Sequence, residues 1–277
     1  MSRYAPLQLS PAGRRYGCQY DAHDSRDLLY AMRFPAPYSR PPVTDFRPLC
    51  GPIKDQGPLG ACDGFAASAI REFLYRAFFQ YEKNRPVAAS AFVASPLFAY
   101  YKIRELEGTL ADGDCGGQIR SAVRVLNQLG VCQEAEDPYA PQDYQTPPTN
   151  AQLTEAAALR AGSYHRLIAL EDYLNCLASG FTLLLGFQVP ASFETIGANG
   201  LMPMPKLGEP TLGGHATHVA GADEPGRVLI IQNSWGDKWG DKGYFYMPFD
   251  FAANRLNVLD AWMIHLGPAW GASRSAS

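Results

Sequence analysis

Four residues of this chain, Gln56, Cys62, His215 and Asn233, have the types and spacing that attack on a carbonyl carbon would need. The run Asp55-Gln56-Gly57-Pro58-Leu59-Gly60-Ala61-Cys62 carries a cysteine through a Gly/Pro-rich turn to the head of an apolar, alanine-rich stretch, Phe65 to Phe79. A helix starting there would place unpaired N–H groups, equivalent to roughly half a positive charge, beside the sulfur, and that charge favours thiolate over thiol. Gln56 adds a neutral amide donor over the same spot, suited to an oxyanion. A thiol needs a base that takes its proton and later protonates a leaving amine, and an imidazole does both near neutral pH. His215, in Gly213-Gly214-His215-Ala216-Thr217-His218-Val219-Ala220-Gly221, sits at the mouth of an expected strand. Asn233 ends the next apolar run and is followed by Trp235 and Trp239. Its amide can accept from the imidazole N–H and fix the tautomer, with an indole keeping water off that bond.

The elements that must position these groups follow from hydrophobic periodicity. Three helices are expected, over Phe65–Phe79, Ala91–Glu107 and Gln118–Leu129; in the last, Ile119, Val123, Leu126 and Leu129 recur at helical spacing and Gly130 stops the run. A Pro/Gln/Thr-rich loop, Pro138–Thr149, leads to short strand-like runs at Tyr164–Ile168, Phe181–Gln188, His215–Gly221, Val228–Gln232 and Gly243–Met247. The expectation is an α+β fold with a helical lobe over about 46–150 and an antiparallel β lobe over about 151–271. Residues 1–45 are polar, aromatic and punctuated by proline, and are expected to lie extended across the body. The stretch 272–277 is expected to be a disordered tail.

Composition excludes several classes. A net charge of −3 with 18% charged residues and no Lys/Arg run argues against electrostatic binding of nucleic acid. The longest apolar stretch, Phe181–Val189, is too short to span a bilayer, and residues 1–20 lack the apolar core of a secretory signal. The cytoplasm is the default location, with export by a signal-less route left open. Six cysteines form no dense framework; a mostly reduced chain is expected, with Cys50–Cys132 the first candidate bridge.

The motifs Gln56-Gly57-x-x-Gly60-x-Cys62, Gly214-His215-Ala216 and Asn233-Ser234-Trp235-Gly236-x-x-Trp239-Gly240-x-x-Gly243-Tyr244 resemble those of the papain-like cysteine proteases (peptidase C1). The order Gln, Cys, His, Asn agrees. His215 follows Cys62 by 153 residues (215 − 62) and Asn233 by 171 (233 − 62), against about 130–150 in the family pattern. The resemblance runs from about Pro42 to His265 and is closest to bacterial members of the xylellain type, which lack a long helical propeptide. It implies a two-lobe fold with a cleft between the lobes and a cysteine-type endopeptidase that needs no cofactor or metal. Cys62 would be the nucleophile, His215 the acid/base, Asn233 its orienting partner, Gln56 the side-chain oxyanion donor and Trp235 the shield. Cys115-Gly116-Gly117 resembles the glycine-bearing wall that pairs with an extended peptide. Gln118 and Ile119 just past it would line the specificity pocket, and Ala216 and Trp235 would be further substrate-binding residues.

Two departures stand out. Leu59 removes the usual bridging partner of a cysteine near position 115, so Cys115 is expected to be free. Asp63 replaces an aromatic directly after the nucleophile, and a charge there would disfavour the thiolate and weaken activity at low pH. His218, three residues from His215 and on the opposite face of a strand, is the rival base, otherwise packed or hydrogen-bonded. His165 and His265 read as core or edge residues and His23 as part of a solvated turn. Neither Cys-x-x-Cys nor His-x-x-x-His spacing supports zinc. The partner implied is a protein or peptide substrate, with residues 1–45 as a possible intramolecular inhibitor lying along or near the cleft. Two other classes use the same residues: a catalytically silent binding protein, and an acyltransferase or amidase.

Overall fold

The structure, a computed structural model, describes residues 4–85, 88 and 91–266; the expected tail over 272–277 lies outside them. In chain order the main elements are α1 (Tyr30–Arg33), β1 (Val43–Asp45), α2 (Cys62–Ala77), α3 (Pro96–Glu107), α4 (Ile119–Gln128), α5 (Asn150–Ala158), β2 (Tyr164–Arg166), α6 (Leu170–Ala178), β3 (Leu183–Pro190), β4 (Thr211–Asp223), β5 (Val228–Gln232), β6 (Tyr244–Pro248), α7 (Phe249–Ala253) and β7 (Val258–Ile264). The fold is mixed α and antiparallel β, as the sequence indicates.

Helix α2 is the spine of the helical side. Ala66, Ala67, Ile70, Phe73, Leu74 and Ala77 are buried, and small residues on two faces let α3 and β4 approach together. Gly64 marks the closest approach: a Cβ there would lie 2.5 Å from the Pro96 carbonyl oxygen. Helix α3 starts five residues later than periodicity indicates, because Ser95 caps it by accepting the Phe98 N–H and Pro96 takes the first helical position. Helix α4 buries Ile119, Val123 and Leu126, and Gly130, at φ +78°, returns its N–H to Val125.

The seven described strands form one antiparallel sheet in the order β2-β7-β3-β4-β5-β6, with β1 added to the far end of β4. β4, thirteen residues long, is its axis. It pairs with β3 through Phe187↔His215 and Leu184↔His218, and with β5 through His218↔Gln232. Two strands, β1 and β7, and four helices, α1, α5, α6 and α7, were not anticipated. β1 is too short and polar to read as a strand; it exists because β4 offers it an edge. In β7, Asp260 interrupts an apolar run, and the carboxylate is buried only because Arg166 and the Trp262 indole both bond to it. Helices α5 and α6 depend on caps that periodicity does not register: Thr149 with Gln152, and Asp172 on the N–H groups of Ile168 and Ala169.

All six cysteines are free and buried. Cys115 is unbridged, as expected. The Cys50–Cys132 bridge is not formed, because the two lie in different packing environments. Cys50 faces Ala220, Ile230 and Tyr244 on the sheet, whereas Cys132 follows α4 in the main core. Among the described residues no helix is long and apolar enough to cross a membrane.

Candidate active site

Cys62 is the first residue of α2 and fully buried. Ala61, at the cap position, has no side-chain acceptor; the Gly64 N–H goes to Asp63 Oδ1 at 2.8 Å, and the Asp63 N–H is directed to the sulfur. Two further backbone N–H groups, of Ala216 and Gly17, point at the thiol. The Ala216 contact sets the register between α2 and β4 and brings His215, the preceding residue, to the same place. Burial pushes the Cys62 thiol up to about 12, with Asp63 adding to the rise and the three backbone N–H groups opposing it.

The imidazole of His215 is fully buried and lies 2.8 Å through Nε2 from Asn233 Oδ1. A carbonyl oxygen can only accept, so Nε2 carries the proton and Nδ1 presents its lone pair. That Nδ1 has no hydrogen-bond partner. Burial lowers His215 to about 4, against the opposing effect of the Asn233 bond. The Trp235 ring covers the pair, with centroids 5.2 Å apart and planes at 34°. Gln56 is equally fixed. Its Oε1 accepts the Ser234 hydroxyl at 2.6 Å, one Nε2 proton goes to the Leu59 carbonyl at 2.9 Å, and its backbone N–H bonds to Ser234 O. The second Nε2 proton remains available to a ligand. Ser234, within the Asn-Ser-Trp motif, is the residue that orients this amide, and its role was not read from the sequence.

The glycine wall is tied to the cysteine loop without a covalent link. Both Asp114 carboxylate oxygens accept the Gly60 N–H at 3.1 Å, and the Tyr100 hydroxyl donates to Asp114 at 2.7 Å while accepting the Gly116 N–H at 3.1 Å. Sequence reading missed this bracket, since nothing in the pattern marks Asp114 or Tyr100. Asp63 turns behind the wall. A Cβ on Gly117 would lie 2.3 Å from its Oδ2, and burial raises its carboxyl well above the usual range. Burial thus favours the uncharged form of Asp63, whereas its carboxylate adds to the rise of the Cys62 thiol.

Residues 14–21 run through the cleft as a strap. Gly17 bridges Gly214, Cys18 bridges Gly117, and both pairings are parallel. Cys18 N–H bonds to Gly214 O, Gln19 N–H to Gly117 O, and Gly117 N–H to Gly17 O, at 2.8–3.0 Å. A Cβ on Gly116 would lie 1.7 Å from the Gly17 carbonyl oxygen, so the absence of a side chain there is what lets the strap in. The Cys18 sulfur packs against Ile119 and Gly186, and Gln118 Nε2 holds Tyr20 O at 2.9 Å. Glu194 clamps the other end. It accepts the Tyr16 hydroxyl at 2.7 Å, the Ala12 N–H at 3.3 Å and the Ser10 hydroxyl.

The remaining histidines stay outside this group. His218 is buried and bonds through Nδ1 to Gln232 Oε1 at 2.9 Å, beside Phe73. His165 and His265 stack at 6.0 Å next to Phe34, and His23 is exposed.

A buried thiol at a helix head, an amide-held imidazole and a side-chain amide donor are thus brought together between the helices and the sheet. The papain family cysteine protease model matches residues 41–258. An uncharacterized peptidase C1-like protein of Acanthamoeba polyphaga mimivirus is 34% identical over 222 residues, covering 76% of this chain and 68% of its own length. A cathepsin L-like proteinase of Fasciola hepatica is 26% identical, and the chain spans 58% of it. The crystal structure of xylellain, a cysteine protease from Xylella fastidiosa, superposes with a TM-score of 0.81 at 28% identity, covering 95% of this chain and 99% of that one. The chain belongs to the papain family of cysteine proteases, and its class is that of cysteine-type peptidases.

Proposed function

We propose that the protein is an endopeptidase whose reaction runs through Cys62, His215, Asn233 and Gln56, and that its own residues 4–28 keep it latent. The observation that carries this reading is the unpartnered Nδ1 of His215, held in its tautomer by Asn233 beside a strand residue whose N–H reaches the Cys62 sulfur. Cys62 passes its proton to Nδ1 and the sulfur attacks the scissile carbonyl carbon. The resulting oxyanion accepts the free Nε2 proton of Gln56 and the Cys62 N–H. When the C–N bond breaks, the imidazolium protonates the leaving amine. Water then attacks the thioester, giving its proton to His215, and the released thiol and carboxylic acid restore the starting site.

The strap opposes every stage of this. It turns the Gly17 amide N–H toward the sulfur. It also dehydrates the cleft, and burial drives the pair to neutral thiol and neutral imidazole instead of thiolate and imidazolium. Once the strap leaves, water returns and the ion pair becomes favourable.

The test compares the full chain with a form lacking residues 1–27, which retains the buried Tyr30 anchor. An epoxide inactivator should modify Cys62 alone, at least about tenfold faster in the shortened form, because a covered site is competent only for the fraction of time it is open. Equal rates in both forms would remove the latency. No labelling in either, or labelling that survives His215→Ala, would favour a catalytically silent homologue.

A further inference from the structure

The glycine wall takes its position from one face of α3, the helix packed on the one that carries Cys62. Tyr100, Arg104 and Glu107 stand at helical spacing on that face, and each holds a backbone group of the wall. Arg104 donates to the Gly113 carbonyl at 2.9 Å, the Tyr100 hydroxyl accepts the Gly116 N–H at 3.1 Å, and Glu107 Oε1 accepts the Gln118 N–H at 2.9 Å. Gly117 lies between the last two, and its own N–H and carbonyl are the groups that the strap takes, through Gly17 O and the Gln19 N–H. The same face is registered against the nucleophile. At Gly64, two residues past Cys62, a Cβ would lie 2.9 Å from the Tyr100 backbone nitrogen.

From Tyr100 the hydrogen bonds continue to the oxyanion side. The hydroxyl, on a fully buried residue, donates to Asp114 at 2.7 Å while it accepts from Gly116, and Asp114 accepts the Gly60 N–H at 3.1 Å. That N–H belongs to the Leu59–Gly60 peptide unit, whose carbonyl accepts Gln56 Nε2 at 2.9 Å. One chain of bonds thus joins the wall to the amide whose second proton is free for a ligand. We infer that Tyr100 and Asp114 are positioning residues that hold Gly117 and Gln56 in one frame, so that a peptide paired along the wall lands its carbonyl oxygen on the oxyanion donors. The inference rests on the peptidase reading above and gives neither residue a contact with substrate. Without the Tyr100 hydroxyl, the Gly116 N–H loses its acceptor and Asp114 its donor from α3, and the wall and the amide are no longer tied. A misplacement on the order of 1 Å costs about a hundredfold in an aligned reaction.

The experiment uses the full chain and two readouts: kcat/KM for a fluorogenic peptide, and the rate at which iodoacetamide alkylates Cys62, followed by mass spectrometry. Alkylation needs the uncovered sulfur but neither wall nor oxyanion. The ratio of the two therefore cancels how often the strap is open, which matters because Arg15 of the strap also meets Asp114, at 3.4 Å. Tyr100→Phe should lower the ratio at least about tenfold, and Asp114→Ala about as much. Asp114→Asn, which keeps an acceptor oxygen, should retain part of it. The double variant Tyr100→Phe/Asp114→Ala should fall no further than the worse single one, since the two act through one chain of bonds. An unchanged ratio in Tyr100→Phe overturns the inference, whatever happens to thermal stability, and so do losses that multiply in the double variant. Should Tyr100→Phe fail to fold, Asp114→Ala, at a half-buried position, decides by the same ratio. No peptide turnover by the unsubstituted chain, on a timescale that alkylates Cys62, overturns the peptidase reading and this inference with it.

Discussion

The cleft floor and the ends of the strap are both buried and polar, yet they are held by different forces. On the floor, Gln56, Ser234, His215 and Asn233 are joined by hydrogen bonds between neutral groups, and no step in their assembly requires a proton to be gained or lost. The strap is fastened by charge. Asp21 and Asp27 from the strap region meet Arg120 of α4, Arg166 of β2 and Asp260 of β7 in one cluster. Three carboxylates against two guanidinium groups leave one negative charge too many for a buried site, and Asp21 Oδ1 is buried with no hydrogen-bond partner. A proton on Asp21, directed to Asp260, would settle both. Burial, followed by the Asp260 contact, raises Asp21 to about 8. The difference teaches that the cleft floor is built to persist, whereas the cover is built on groups that titrate.

The largest effect should come from breaking the floor. In the form lacking residues 1–27, His215→Ala should reduce peptide turnover by at least on the order of 10³-fold, since groups that act as one unit fail together. Turnover within tenfold of the parent would show that His218 or water can replace His215. The second effect concerns the fastening. With its pKa raised from 3.8 to about 8 in the docked strap, Asp21 binds more protons docked than released between those values. Docking is therefore strongest in acid and weakens as pH rises from about 4 through about 8. The activity of the full chain, divided by that of the shortened form to cancel the titration of the floor, should climb across this window. A flat or falling ratio would place the fastening elsewhere. The smallest effect should come from Glu194→Gln, which keeps an acceptor but removes the charge that Tyr16, Ser10 and Ala12 share. It should raise full-chain activity by about two- to fivefold, in keeping with the loss of one half-buried, partly screened charge, and leave the shortened form unaltered. Equal changes in both forms would mean that Glu194 acts on the floor instead of the strap.

Much of the helical side was legible because α2 and α4 carry their stripe in the sequence, and β5 was legible to the residue because its apolar run is bounded on both sides. β1 and β7 were hidden because each depends on a neighbour: an edge of β4 for one, a guanidinium for Asp260 in the other. Asp63 shows the same division. Its identity predicts a charge beside the thiol, and only its position behind Gly117 reveals the burial that disfavours that charge.

By itself the sequence determined which side chains are present at which separations: a cysteine behind a turn, an imidazole at a strand mouth, an amide before two tryptophans, and no framework of paired cysteines. Types and local spacing survive in one dimension because helix heads, turns and strand ends are made by neighbouring residues. The tertiary structure alone decided which distant groups touch. It put Gly17 against Cys62, Ser234 on Gln56, Arg15 on Asp114 and Asp21 beside Asp260, and it buried Cys62, Gln56 and Asp21 away from water. Whether a thiol is a thiolate, or a carboxyl a carboxylate, depends on that desolvation, which packing creates and no local pattern records.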